Sequence, residues 1–350
     1  MDIKELTDIL CGLVAIPSLS RQEQAAADFL YGRLVALGLE PHRAGCNLWV
    51  ESEPASEGKP TLLLNAHIDT VKPSPAYTRD PFQPSVEGDR LYGLGANDDG
   101  GCVVALLEAF LRLSAKPQPY RLVYSATAEE EVTGENGIDL IFPEIGPVAF
   151  GVIGEPTCMQ MAVAERGLMV LDCTETGKSG HAARNEGVNA LYKAVDDIQW
   201  LRGYHFPKVS PWLGEVKMTA TIIEAGAQHN VVPAECKFVV DVRPNGEYSN
   251  EEILQTIRAH VQCDARPRSM RHSSSSIDSR HPAVLRGKSL GLACFGSPTT
   301  SNQTRCGFPT LKIGPGDSAR SHSADEFILL SEVENSVDIY ESLLDGLEII

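Results

Sequence analysis

"YRLVYSATAEEEVTG", residues 120–134, decides the reading of the fold. Its first part is a near-continuous apolar run and predicts a strand. Three glutamates, Glu129, Glu130 and Glu131, then follow in what reads as a loop. Three adjacent carboxylates repel one another, and crowding raises the pKa of at least one of them. Folding alone gives no reason to gather them, so the triplet asks what it holds.

The same pattern extends outward from this stretch. "NLWVES" (47–52), "PTLLLNAHID" (60–69) and "VAFGVIGEP" (148–156) read as further strands, the second apolar enough to be buried on both faces. "QAAADFLYGRLVALG" (24–38) and "GGCVVALLEAFLRL" (100–113) carry helical spacing. Ser20 with Glu23 reads as a capping box for the first of these helices, and Gly38 is placed to end it. Alternating strands and helices predict an α/β sheet covered on both sides. After about residue 165 the rhythm becomes β-α-β-β-α-β, from "LMVLDCTETG" (168–177) to "DARPRSMR" (264–271). That order is the split βαβ arrangement of a compact α+β unit. "HSSSSIDSRH" (272–281) reads as a crossing loop, after which the first pattern returns. The predicted organisation is therefore a discontinuous catalytic domain, 1–165 and 274–350, with a smaller domain, 166–273, inserted.

Composition narrows the function. A formal charge of −17 over 350 residues predicts a surface that repels nucleic acid and anionic membranes, so an anionic substrate must be caught by placed arginines. No apolar run is long enough to span a bilayer, and "MDIKELTDILCGL" (1–13) does not read as a signal peptide. The nine cysteines are scattered without CxxC pairing, which suits reduced thiols in a cytoplasmic protein.

The candidate chemistry sits at predicted strand ends. His67 and Asp69 form "HID"; a carboxylate behind an imidazole fixes its tautomer and frees the other nitrogen for a metal. Alone, that pair reads more readily as a surface histidine beside a solvated aspartate. "GLGANDDGG" (93–101) hints at a nucleotide loop, but Asp98 occupies the third glycine position, where a pyrophosphate would meet a carboxylate. Asp98 suits bridging two cations, or plain N-capping of the following helix. Glu155 in "GEPT" and His322 in "SARSHSADE" complete the set. In open α/β sheets this edge is where ligands bind. Nitrogen and oxygen donors without cysteine fit Zn²⁺, Co²⁺ or Mn²⁺, and dications lower the cost of gathering the carboxylates.

The ordered motifs "HID", "GLGANDD", "AEEEVTG", "GEPT", "GKSGHAA" and "RSHSADE" resemble, along essentially the whole chain, a family of metal-dependent exopeptidases and amidohydrolases. That family includes acetylornithine deacetylase, succinyl-diaminopimelate desuccinylase, aminoacylase and glutamate carboxypeptidase, and the first of these is the most similar branch. The resemblance implies a zinc-exopeptidase-like, mostly parallel sheet flanked by helices, with an inserted ferredoxin-like domain that closes over substrate and forms a homodimer. It implies two divalent ions, Zn or Co. Asp98 bridges them, His67 and Glu155 complete one site, and Glu131 and His322 complete the other. Glu130 is implied as general base, with Asp69 behind His67, and Glu129 stands where the family usually has Asp. His181 of "GKSGHAA" is implied as an oxyanion donor across the dimer boundary, assisted by Asn230, and Arg243 of "DVRP" as the α-carboxylate binder.

The implied reaction is hydrolysis of an N-acyl amino acid amide, N-acetyl- or N-succinyl-ornithine or citrulline, in arginine biosynthesis. A water between the two cations loses its proton to Glu130 and attacks the carbonyl. Succinyl-diaminopimelate hydrolysis and di- or aminopeptidase activity are the alternatives; a succinyl group would need one more cation, for which Arg305, Lys312 and Arg320 are candidates. A non-catalytic scaffold fits less well because every ligand position and Glu130 hold competent residues. A serine hydrolase finds no G-x-S-x-G elbow. Two departures stand out: "DDGG" where the family continues with lysine, and Ser301-Asn302 where relatives often have a Ser/Thr-Asp pair. Both are expected to alter substrate shape.

Overall fold

The computed structural model describes residues 1–54, 58–184 and 186–349. The chain divides into two compact units, one of Met1–Val163, Ile277–Phe295 and Ser301–Ile350, the other of Ala164–Ser276 and Gly296–Thr300.

Four parallel strands form the centre of the first unit, in the order Arg121–Thr127, Thr61–His67, Phe150–Ile153 and Thr310–Lys312. Antiparallel strands flank them, Asn47–Glu51 beside the first and Met161–Glu165 beside the last. The sheet is mixed and mostly parallel, as the apolar runs predict. All seven residues of Thr61–His67 are buried, and so are all seven of Arg121–Thr127. Their side chains alternate between two layers. Leu62, Leu64, Leu122 and Tyr124 join the core that contains helices Ile3–Val14, Gly101–Ser114 and Leu330–Leu344. Leu63 and Val123 join a second cluster with Trp49, Ile138, Ile141 and Ile145 on the opposite face. Each buried leucine contributes about 1.5–3 kcal/mol, so no residue of these strands can turn to solvent without loss.

One expected detail differs. Helix Gln24–Ala36 forms, and Gly38 follows it with a positive φ of 80°, but there is no capping box at its start. Ser20 Oγ donates instead to Asp69 Oδ2 at 2.7 Å, and Glu23 Oε1 accepts the amides of Arg21 and Glu129 at 2.6 and 3.2 Å. A carboxylate acceptor for the Ser20 hydroxyl and main-chain N–H donors for the Glu23 carboxylate take both side chains away from the helix end.

The second unit is an antiparallel sheet in the order Lys217–Ala225, Glu235–Arg243, Met169–Thr176, Asp264–Pro267. Helices Ala190–Gly203 and Asn250–Arg258 complete the β-α-β-β-α-β order, capped by Asn189 and by a Ser249/Glu252 capping box. Leu171, Cys173, Phe238 and Val240 on one sheet face pack with Ala194, Leu201, Ile253 and Ile257 of the helices. No helix among the described residues is long and apolar enough to cross a membrane, and the cysteines are free.

Candidate metal centre

Because the four central strands are parallel, their carboxyl ends share one edge, and the segments leaving that edge carry the acids and histidines. His67 ends its strand, and Asp69 lies just beyond it. His67 Nδ1 therefore meets the main-chain oxygen of Asp69 at 2.9 Å, more closely than the Asp69 carboxylate at 3.5 Å. The expected carboxylate–imidazole pairing is corrected to this extent: leaving the strand turns the carbonyl inward. Either acceptor holds the proton on Nδ1 and leaves Nε2, which lies 3.1 Å from Asp98 Oδ1.

Asp98 lies in the turn Ala96–Gly100, not at a helix cap; the residue preceding helix Gly101–Ser114 is Gly100, without a side-chain cap. The plain N-cap reading of Asp98 is thereby excluded. Its second oxygen faces the other histidine, with Oδ2 3.6 Å from His322 Nε2. His322 Nε2 also lies 3.0 Å from Glu131 Oε1. Glu155 comes together with His67 and Glu130, and Glu131 with His67 and Asp98, each group having its ligand atoms within 4.8 Å of one another.

The glutamate triplet splits three ways. Glu129 adopts a left-handed φ of 56° and turns to Asn136, accepting from its side chain at 2.8 Å. Only a glycine fits beside it: a Cβ on Gly134 would stand 1.8 Å from Glu129 Oε2. Glu130 points toward His67, 3.9 Å from Nε2, and Glu131 toward His322. Divergence relieves the crowding that the sequence implies. Burial, more than the neighbouring acids Glu155, Glu131 and Asp69, pushes the Glu130 carboxyl well above the usual range, against the pull of His67.

Asp69 supports this loop. Its carboxylate accepts the main-chain N–H groups of Glu130 at 3.0 Å and Glu131 at 3.1 Å, besides the Ser20 hydroxyl. Glu326 does the same for the turn opposite, one oxygen accepting the amides of Asn97 at 2.9 Å and Asp98 at 3.0 Å. Burial and then the nearby Asp98 raise the Glu326 carboxyl to about 8. Hydrogen bonding to Glu131 raises His322 to about 9. Burial disfavours charge on His67, but Asp69, Asp98, Glu130 and Asp99 outweigh it and its pKa is raised well above the ordinary value.

Ser20 and Glu326 escaped sequence reasoning. Glu326 stands inside the quoted "SHSADE", yet nothing local distinguishes it from Asp325, which turns to Thr78. Asn302, one of the departures, is also not a substrate-facing change. It is buried, and its amide donates to Asn65 Oδ1 and Thr127 Oγ1 at 3.1 Å each, beneath the strand ends.

His181, Asn230 and Arg243 belong to the second unit. His181 is exposed and bridges to Val231, while Ala182 donates to the Asn230 carbonyl at 3.0 Å, so the two loops meet. Arg243 is held by Asp241 through Nε at 2.7 Å and Nη2 at 3.0 Å, and by Thr300 at 3.1 Å.

A family description, peptidase family M20/M25/M40, matches residues 63–346, the span that contains every one of these acids and histidines. The chain belongs to this family. Members of peptidase family M20 similar to it include acetylornithine deacetylase of Yersinia pestis, 26% identical over 99% of this chain and 98% of that protein. Succinyl-diaminopimelate desuccinylase of Xylella fastidiosa is 25% identical over 99% of both chains. Among solved structures, aminopeptidase PepT from Bacillus cereus superposes with a TM-score of 0.79 at 19% identity, over 99% of both chains. The YXEP protein of Bacillus subtilis, described as a dinuclear metal-binding peptidase from the M20 family, does so at 0.74 and 14%, again over 99% of both. The chain is thus an M20 metallohydrolase acting on amide bonds, and its fold is that of the M20 peptidases.

Proposed function

We propose that the chain deacylates a small N-acyl amino acid, with N-acetyl-ornithine or -citrulline as its substrate class and a place in arginine biosynthesis. The observation that carries this is Asp98, whose two oxygens are turned to two different histidines. Two divalent ions, Zn²⁺ or Co²⁺, fit the donor set. It is made of imidazoles and carboxylates without a thiolate, and its acids are gathered beyond what His67 and His322 can neutralise. His67 and Glu155 would hold one ion, Glu131 and His322 the other, and Asp98 both. The ions supply Lewis acidity and an activated water. With the ions bound, Glu130, 3.9 Å from His67 Nε2, would be placed to accept a proton from the attacking water and return it to the leaving amine. Asp69 orients His67 and holds the Glu130–Glu131 backbone.

In this reading the second unit supplies the rest. Arg243, its fork set by Asp241, takes the substrate α-carboxylate, and His181 with Asn230 stabilises the oxyanion in a homodimer formed through this unit. The edge strand Lys217–Ala225 supports that assembly: Ile222 and Ile223 are 52% and 48% exposed, and Tyr192 on the adjoining helix 69%. Free thiols and the acidic composition support a cytoplasmic setting.

The three cations named for a succinyl group are paired or buried, which favours the acetyl form; Arg243 is itself paired with Asp241 and is kept for the α-carboxylate on the family resemblance, not on being free. Arg305 pairs with Asp139, Arg320 pairs with Glu332 at 2.7 Å, and Lys312 is buried in its strand. Amine release from N-acetyl and N-succinyl ornithine, citrulline and diaminopimelate, with Zn²⁺ or Co²⁺ and after chelation, tests the proposal. Chelator-sensitive release from an acetyl substrate supports it. Release only from succinyl-diaminopimelate or from free peptides selects an alternative.

A further inference from the structure

Behind His67, a small cavity of about 20 Å³ lies between the His67–Thr70 segment, with Ser18 beside it, and the turn carrying Asp98. Two of its lining residues carry a buried side-chain oxygen without a hydrogen-bond partner among the described residues, Asp99 Oδ1 and Thr70 Oγ1, although the Asp99 carboxyl also lies beside the Cys102 thiol. Asp99 is 1% exposed and Thr70 7%. A buried carboxylate oxygen left unpaired loses the hydrogen bonds it has in water, and the hydroxyl adds its own penalty. A cavity holds one water when it offers roughly 10–15 Å³ and polar partners, so this one has room for a single molecule.

Asp99 is not otherwise used by the chemistry, but its other oxygen is placed to matter. Oδ2 accepts the main-chain N–H of His67 at 3.3 Å. Thr70 is fixed on the far side: its N–H donates to Ser18 O at 2.9 Å, and its methyl packs on Gly95. Gly95 has a φ of 77°, and a Cβ there would come within 2.6 Å of that methyl. The turn and the His67–Thr70 segment are therefore in close contact, and Asp99 and Thr70 both line the cavity beside it.

We propose that this cavity binds one internal water. It donates to Asp99 Oδ1 and exchanges a hydrogen bond with the Thr70 hydroxyl. It thereby ties the segment carrying His67 to the turn carrying Asp98. Asp99 and Thr70 are then positioning residues, which gives the "DDGG" departure a structural role. A hard cation is the rival occupant, but such ions take about six or more oxygens, whereas Leu13, Val14, Leu94 and Val103 form much of this lining. The water stands on the cavity geometry; its effect on metal binding rests on the proposed centre.

The test is a crystal structure at a resolution that resolves internal water, for the natural chain, Thr70→Val and Thr70→Ser, with a Zn²⁺ titration of each by chelator competition. The expected result is one peak within hydrogen-bond distance of both oxygens, lost in Thr70→Val and kept in Thr70→Ser. Zn²⁺ affinity should fall roughly 10-fold in the valine variant alone. A dry cavity, or a peak ringed by oxygens at cation distances, overturns the water. Loss of the water with unchanged affinity overturns the positioning role. If the natural chain binds no Zn²⁺, the metal centre fails while the density still decides the water. The natural chain's density also decides it if the valine variant does not fold.

Discussion

The carboxylate of Asp69 accepts the main-chain N–H of Glu130 at 3.0 Å, and the same carboxylate accepts that of Glu131 at 3.1 Å. A residue two positions after His67 thus fixes the backbone from which the proposed base and one proposed ligand project. The contact is to the amide, so the identity of the residue at position 130 does not alter it.

Asp69→Asn tests that arrangement. An asparagine side chain accepts through one oxygen and presents N–H to the second amide, so one of the two anchors becomes a clash of donors. The variant should lose about 10- to 100-fold in metal affinity or activity. Ser20→Ala, which removes a single donor to Asp69, should lose less. Steady-state kinetics with metal titration check both, and equal effects would contradict the anchoring role.

Glu130→Gln keeps the shape and the Asp69 contact but cannot take a proton. Its kcat should fall by about 10²-fold or more, with bound metal unchanged on elemental analysis. A variant that retains activity would remove Glu130 as base and return the scaffold reading to consideration.

Cation uptake should release protons. His322 is raised to about 9 and Glu326 to about 8, so at pH 7 the metal-free chain carries protons on these two groups, and His67 and Glu130 are shifted in the same direction. A coordinating imidazole must be neutral, so ions and protons compete, and the competition eases as pH rises toward these values. Adding Zn²⁺ or Co²⁺ to stripped protein in weak buffer near pH 7 should acidify it by about one proton or more per chain. Apparent affinity should strengthen with pH. Uptake without proton release would contradict the electrostatic account.

Asn302→Ala strips the donors that serve Asn65 and Thr127 under the strand ends. Thr127 Oγ1 keeps a donor in Asn65 Nδ2, but leaving the buried Asn65 Oδ1 unpaired should cost about 1–3 kcal/mol, read as a lower urea midpoint. Substrate preference should stay as it was, since Asn302 is spent on support. A change of preference without loss of stability would restore the substrate-shaping role that the sequence suggests.

The strands that build the sheet were legible because a central strand of a parallel sheet needs apolar residues on both faces. That leaves runs such as Leu62–Leu63–Leu64 in plain view. Most ligand candidates were legible for a related reason: His67, Glu130, Glu131 and Glu155 end or closely follow such runs, and parallel strands bring their ends to one edge, whereas Asp98 and His322 lie in loops. Ser20 and Glu23 were misread because the Ser-x-x-Glu spacing fits a helix cap, whereas Ser20 pairs with Asp69, 49 residues away, and Glu23 is shared between the Arg21 amide and that of Glu129, 106 residues away. Asn302 and Glu326 likewise make contacts between distant segments, which no local pattern encodes. The cavity beside Asp99 depends on how close the turn and the His67–Thr70 segment come, a property of packing alone.

The most direct test of the account is anomalous diffraction from crystals of the natural chain loaded with Zn²⁺. Two peaks roughly 3.5–4 Å apart, each on a different oxygen of Asp98, with His67 and Glu155 at one and Glu131 and His322 at the other, are the predicted result. A single peak, or two that do not share Asp98, would contradict it.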